Sequence, residues 1–115
     1  MSVACSRLAV YQHAVKAAGI ALGLALKVPA PLKPIADQLI RSASSVPANL
    51  AEGHSRTGRD REHLWRIAYG SAKEVDSHLR LLVAAGAVNR GRAEEALKLF
   101  DSVRAMTWRL LHSRR

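Results

Sequence analysis

Cysteine and aromatic residues are scarce in this chain of 115 residues. The single cysteine, Cys5, excludes an internal disulfide and any metal site that needs several thiolates, which fits a reducing compartment. Because there are only two Trp, two Tyr and one Phe, the core must be built from Leu, Val and Ala. This composition favours close helix packing over a sheet. With so few aromatic side chains for the surface, we expect neither base stacking nor sequence readout of a nucleic acid.

Acidic residues are also few. The chain has 9 Asp and Glu against 18 Lys and Arg, which gives a formal net charge of +9. An excess of positive charge favours a polyanionic partner, although it says nothing about the fold. The length suffices for one hydrophobic core and is too short for two. We therefore expect a single basic domain over residues 1–115.

Motifs for catalysis or cofactor binding are missing. The chain has no glycine-rich phosphate loop, and none of its five histidines lies in a recognisable nucleophile motif. A diiron bundle needs two Glu-x-x-His repeats and two further carboxylates. Here only Glu74 and His78 share an inward helical face, with Glu52 as a distant third. The sequence therefore predicts no enzyme, no metal site and no cofactor.

Targeting signals are not evident in the chain. Its first ten residues, MSVACSRLAV, lack the basic segment and the uninterrupted apolar core of a signal peptide. No run approaches the ~18 apolar residues that a membrane span requires. We expect a cytoplasmic protein with no membrane contact.

Four stretches of the chain repeat apolar residues at spacings of three and four, which is typical of amphipathic helices. The predicted helices cover residues 6–27, 35–53, 60–85 and 92–112. The inward stripe of the last helix is predicted to consist of Ala93, Ala96, Phe100, Val103, Thr107 and Leu110. Short connections between helices of this length predict an all-α, antiparallel up-down four-helix bundle. Pro47 lies inside the second helix and removes one backbone hydrogen bond, so we expect the helix to bend there.

Three sequence motifs carry a resemblance to a known family. They are RSASSVPANLAEG at residues 41–53, AYGSAKEV at 68–75 and VYQHAV at 10–15. The chain resembles, over essentially its whole length, the small bacterial proteins first met as products of intervening sequences in large-subunit ribosomal RNA genes. Tyr11 stands where that family usually carries Trp. The resemblance implies an up-down bundle that assembles as a homopentamer. It also implies remote kinship to basic accessory proteins of diversity-generating retroelements, which bind nucleic acid and a reverse transcriptase.

The first helix bears on assembly. Its inward stripe is predicted to consist of Leu8, Tyr11, Val15, Ala18, Leu22 and Ala25. Ile20, Leu24 and Leu26 lie outside that stripe, so the second half of the helix is apolar nearly all round. It is either unusually buried within one subunit or in contact with another, and the resemblance favours the second alternative.

A polar strip is predicted on the inward face of the third helix, where Ser71, Glu74 and His78 interrupt an apolar pattern. The apolar members of that face are Leu64, Ile67, Ala68, Val75, Leu81 and Leu82. An ionised Glu74 in the core would cost several kcal/mol without a partner, and Arg41 is the predicted one. The expected network between the second and third helices consists of Arg41, Asn49, Glu52, Ser71, Glu74 and His78. Its predicted role is to fix the register of these helices.

A basic row is predicted on the outward face of the third helix. Arg59, Arg66, Lys73 and Arg80 are spaced by seven residues and share one side of the helix. With Arg56 and Arg61 of the preceding loop, they are the predicted phosphate contacts. The alternative is a solvated face, since Glu62 and Asp76 lie four residues before Arg66 and Arg80 and can neutralise them.

Two functions from different classes remain open from sequence. The first is a homo-oligomeric accessory factor that binds RNA or DNA without sequence preference, through counterion release at phosphates. The second is a structural or protein-interaction bundle whose basic charge serves solubility or a protein partner.

Overall fold

The computed structural model of the protein describes the backbone of residues 3–113 and the side chains of residues 7–113. The described residues form four α-helices and one short 3-10 helix, Ala30–Leu32, and contain no strand. The helices are α1 (Val3–Ala25), α2 (Lys33–His54), α3 (Gly58–Ala84) and α4 (Arg90–Leu111). The prediction of an all-α, four-helix fold is confirmed. Sequence placed the helix ends within about three residues, which is the ordinary uncertainty of such boundaries.

Glycine and asparagine set the turn between α3 and α4. Gly86 has a φ of 70°, a conformation that side chains with a Cβ rarely adopt, and its N–H donates to Val83 O at 2.9 Å. Asn89 then caps α4, because its Oδ1 accepts a hydrogen bond from the Arg92 backbone N–H at 2.9 Å. The chain thus stops one helix and starts the next within a few residues.

Consecutive helices run in opposite directions. Ser45 near the middle of α2 bonds to Ser71 of α3, whereas Gly53 at the end of α2 meets Trp65 near the start of α3. Residues 7–11 of α1 lie beside residues 50–54 of α2, and the end of α1 lies beside the start of α4. Each helix packs mainly on two neighbours, in the order α1, α2, α3, α4 around the bundle.

One contiguous apolar cluster fills the space between the helices. Phe100, Leu39, Leu79 and Leu82 are its largest fully buried side chains. In α4 the predicted inward stripe is buried from Ala93 to Thr107. α2 continues through Pro47 without interruption, and the bend there stays a prediction.

In α1 the first half of the predicted inward stripe is wrong, whereas Ala18 and Ala25 in its second half are buried as predicted. Leu8, Tyr11 and Val15 are exposed by 56%, 39% and 46%, whereas Ile20 and Leu24, predicted to lie outside the stripe, are buried. The core side of α1 is instead formed by Val10, Ala14, Ala17, Ala18, Ile20, Ala21, Leu24 and Ala25. Five of these eight residues are alanine, which lets α1 approach its neighbours closely and leaves Leu8, Tyr11 and Val15 outside. We call Leu8, Tyr11 and Val15 of α1, together with Leu26 directly after its end, the α1 apolar stripe; Leu26 is 82% exposed.

The apolar character of α1 also bears on the membrane prediction. By length and composition, residues 7–25 could cross a membrane, with a mean hydropathy of 1.2 over that segment. The core helix of a soluble bundle has the same properties, and 44% of this segment is buried inside the fold. The expectation that no segment is long and apolar enough for a membrane span is therefore wrong for residues 7–25. In the fold, this segment packs between α2 and α4.

Candidate nucleic-acid interface

The outward side of α3 carries the predicted basic row. Arg59, Arg66, Lys73 and Arg80 are all exposed. Within residues 7–113, Arg59, Arg66 and Lys73 form no ion pair, so the predicted Glu62–Arg66 pair does not form. We call these three residues the α3 basic row. The first and last of them are fourteen residues apart, or ~21 Å along the helix.

Two other predicted phosphate contacts already have acidic partners. Arg80 Nε donates to Asp76 Oδ1 at 2.6 Å, and this hydrogen bond, with the charge of Asp76, raises the pKa of Arg80 above its ordinary value. Arg56 Nη2 donates to Glu52 Oε2 at 2.7 Å, and its Nη1 lies 4.0 Å from Asp60 Oδ2. A phosphate would have to compete with these carboxylates. Exposed pairs of this kind are weak, so they reduce rather than abolish the attraction for phosphate.

Arg61, also predicted to contact phosphate, has a structural role in the fold. Its Nε donates to Gly53 O at 3.1 Å and its Nη2 to His54 O at 3.3 Å, so it satisfies carbonyls at the end of α2. Its guanidinium lies 5.6 Å from the ring centroid of the buried Trp65, and Arg7 lies 5.5 Å from the same ring. Burial, followed by the charge of Arg61, lowers the pKa of Arg7.

The predicted buried ionic network does not form. Arg41 and Glu74 are both exposed, and within residues 7–113 neither forms an ion pair. Glu52 is exposed and pairs with Arg56, while His78 is half-buried. On α3 the core is filled by Trp65, Ala72 and Leu79 instead of the predicted Leu64, Ile67 and Leu81. The helical face that contains Glu74 therefore turns towards solvent. An exposed carboxylate keeps its hydration, which removes the need for a buried partner.

A smaller polar contact does join α2 and α3. The Ser45 and Ser71 hydroxyls lie 2.8 Å apart, and Asn49 Nδ2 donates to Ser45 O and Ser45 Oγ, both at 2.9 Å. Asn49 and Ser71 were predicted members of the network, whereas Ser45 was missed. Among the described residues, no three His, Cys, Asp or Glu side chains cluster as metal ligands would.

An exposed tryptophan, Trp108, lies on α4. It was not predicted, and it supplies the exposed aromatic side chain that the composition was expected to lack. Trp108 is 50% exposed and stacks on His112, with 4.0 Å between ring centroids and 22° between ring planes. The sequence contained a signal for this pair. Trp108 follows the inward-facing Thr107 and so points away from the core, and His112, four residues later, is its neighbour on the same helical face. Trp108 borders an open groove of about 620 Å³, which we call the Trp108 groove. It is lined by Tyr69, Asp101, Arg104, Ala105, Trp108 and Arg109.

Comparison with solved structures supports the fold. The chain is similar to a crystal structure from Bacteroides thetaiotaomicron, described as a protein with unknown function from the S23 ribosomal protein family. The TM-score is 0.85 at 20% sequence identity, and the match covers 94% of this chain and 99% of that one. Comparison with curated proteins gives no match.

A family model described as 23S rRNA-intervening sequence protein matches residues 6–109. This match covers the three sequence motifs and all but the ends of the described helices. The chain therefore belongs to the 23S rRNA-intervening sequence protein family.

Proposed function

We propose that this protein is a cytoplasmic, non-enzymatic accessory factor that binds nucleic acid through phosphates, without sequence preference. The α3 basic row carries this proposal, because Arg59, Arg66 and Lys73 are exposed and have no acidic partner within residues 7–113. The net charge of +9 supplies a long-range attraction for a polyanion. Membership of a family named after ribosomal RNA intervening sequences is compatible with such a partner, although the name itself assigns no activity.

The physical basis of the proposed binding is counterion release. A phosphate backbone that contacts Arg59, Arg66 and Lys73 releases about 0.7 to 0.9 condensed cations for each phosphate neutralised. Affinity should therefore fall steeply with salt and depend little on base sequence. Arg56 and Arg80 lie next to the row and are expected to contribute less, since Glu52 and Asp76 already bind them.

The test compares reversal of the basic row with an equal change of charge elsewhere. The row variant combines Arg59→Glu, Arg66→Glu and Lys73→Glu. The control combines Lys16→Glu on α1, Lys27→Glu just after it and Lys33→Glu at the start of α2, where Lys33 pairs with Asp37. All six residues are exposed, and both variants change the net charge equally. Anisotropy of a labelled oligonucleotide at several salt concentrations should show lost affinity and a reduced salt slope in the row variant only. Equal losses in both variants would mean that net charge acts without a defined surface.

A protein-interaction role is the second candidate, and the α1 apolar stripe favours it. Leu8, Tyr11 and Val15 are exposed at successive spacings of three and four on α1, and Leu26 is exposed just after its end, so these apolar side chains form a row. We propose that copies of this chain associate through the stripe, and the family resemblance suggests five copies. Light scattering of the wild type should report a multiple of 12.5 kDa, and Leu8→Glu with Val15→Glu should shift it towards the monomer. A wild-type monomer at micromolar concentration would exclude this assembly.

A further inference from the structure

The Trp108 groove combines an exposed aromatic ring with positive charge. Trp108 is held in place by His112, whose Nδ1 donates to Trp108 O at 2.8 Å while the imidazole stacks on the indole. A ring fixed in this way loses little conformational entropy when a second flat group packs on it. The indole therefore offers a preorganised stacking surface at the edge of the groove.

Basic side chains surround this aromatic surface on both helices. Arg104 and Arg109 lie four residues before and one residue after Trp108, and both line the groove. On α3, Arg66 and Lys73 of the basic row lie three residues before and four residues after Tyr69, which also lines the groove. Arg104 pairs with Asp101, so Arg109 is the groove cation without an ion pair within residues 7–113. The groove therefore adjoins the row that is proposed to bind phosphates.

We propose that the Trp108 groove binds an unpaired nucleobase, which stacks on the indole of Trp108 while Arg109 contacts the neighbouring phosphate. This inference rests on the proposed function and makes its ligand single-stranded nucleic acid. An aromatic ring beside a basic track is the arrangement that binds single strands without reading their sequence, because every base has a flat π-face. The groove is open to solvent and lacks the enclosure that binding a free small molecule would require.

The test uses two oligonucleotides of equal length and charge, an oligo-dT and the same backbone with abasic sites. Stacking on one aromatic residue should make the oligo-dT bind about tenfold more tightly than the abasic strand. Binding should also quench the fluorescence of Trp108, whereas Trp65, only 4% exposed, should report little. Trp108→Leu should lower the affinity for oligo-dT to that for the abasic strand and leave the abasic affinity unchanged. Trp108→Phe, which keeps a flat ring, should retain part of the preference.

The outcomes separate this inference from the proposed function. Equal affinity for the two strands, with no quenching in the wild type, would overturn base stacking and leave phosphate binding intact. Absence of binding to both strands at ~50 mM salt would overturn the proposed function and the stacking site together. Equal quenching by a duplex of the same length would also overturn base stacking, since its bases are already stacked. Because quenching is measured on the wild type, the test does not depend on the folding of a variant.

Discussion

The contact between Gly53 and Trp65 leads to a prediction about how α2 and α3 pack. A Cβ at position 53 would lie 2.6 Å from Trp65 Cδ1, 2.7 Å from its Nε1 and 3.3 Å from Arg61 O. Trp65 cannot move away easily, because it is only 4% exposed and the guanidinium groups of Arg7 and Arg61 lie beside it. Separation of the helices would also break the bond from Arg61 Nε to Gly53 O. Gly53→Ala should therefore strain this helix pair.

The magnitude follows from two opposing effects. Alanine in place of glycine stabilises a helix by at most about 1 kcal/mol, whereas overpacking a core costs about 1 to 3 kcal/mol. We expect Gly53→Ala to lower the free energy of unfolding by about 1.5 kcal/mol. With a urea m-value of about 1.5 kcal/mol/M for a chain of this size, the unfolding midpoint should fall by about 1 M. Circular dichroism at one fixed protein concentration measures this shift.

Gly70→Ala is the matched control, because Gly70 is also helical and a Cβ there would meet nothing within 4 Å. It should be neutral or stabilise by up to about 1 kcal/mol. In a Trp65→Leu background, which removes the clashing ring, Gly53→Ala should no longer destabilise. A Gly53→Ala protein as stable as Gly70→Ala would refute the packing argument.

Three further predictions concern polar groups, each measured by urea unfolding. Glu74→Ala should change the free energy of unfolding by less than about 0.5 kcal/mol, because the carboxylate is exposed. A loss near about 3 kcal/mol would instead support a buried ion pair between Glu74 and Arg41. Ser71→Ala should cost about 1 kcal/mol by removing the hydrogen bond to Ser45. In the Ser71→Ala protein, Ser45→Ala should then cost less than it does in the wild type. If the two costs simply add, the contact between the hydroxyls is contradicted. Asn89→Ala should cost about 1 kcal/mol by exposing the Arg92 N–H at the start of α4, whereas Asn89→Asp should cost little; equal effects of both changes would argue against capping.

The fold was predictable because most helices carry a single apolar stripe. In α4 the residues between the stripe positions are largely charged or polar, so the pattern leaves one way to face the core, and Ala93, Phe100 and Thr107 are buried as predicted. Short connections then determine an antiparallel order. The assignment needed only periodicity and turn residues, which act locally along the chain.

The face of α1 was not predictable in the same way. Its only Lys or Arg residues within 3–25 are Arg7 and Lys16, so apolar residues occur on every side and periodicity cannot select the buried one. Choosing the largest apolar side chains as core residues led to the wrong face, because Leu8 and Val15 are exposed while Ala14 is buried. The decision depends on how closely α1 can approach α2 and α4, which is a property of the assembled bundle.

The error for Glu74 has a related cause. Small residues surround it in α3, and a heptad pattern that includes Ile67 and Leu81 places it inside, but these two side chains are 38% and 52% exposed. Trp65 is large enough to shift the buried side of α3 towards itself, so Glu74 stays in water. Asn49 and Ser71, both predicted members of the network, do meet at the junction of α2 and α3, where each contacts Ser45. The charged residues Arg41 and Glu74 are exposed instead of forming a network in the core.

The positions of the two exposed stripes bear on whether the candidate functions compete. α1 packs mainly on α2 and α4, as does α3, so α1 and α3 lie diagonally across the bundle. Association through the α1 apolar stripe would therefore leave the α3 basic row uncovered. Each added copy would bring another α3 basic row to the same assembly. Contacts from several rows would bind a continuous polyanion far more tightly than one row does. Self-association and nucleic-acid binding are thus compatible, and loss of assembly should weaken binding to long strands more than to short ones.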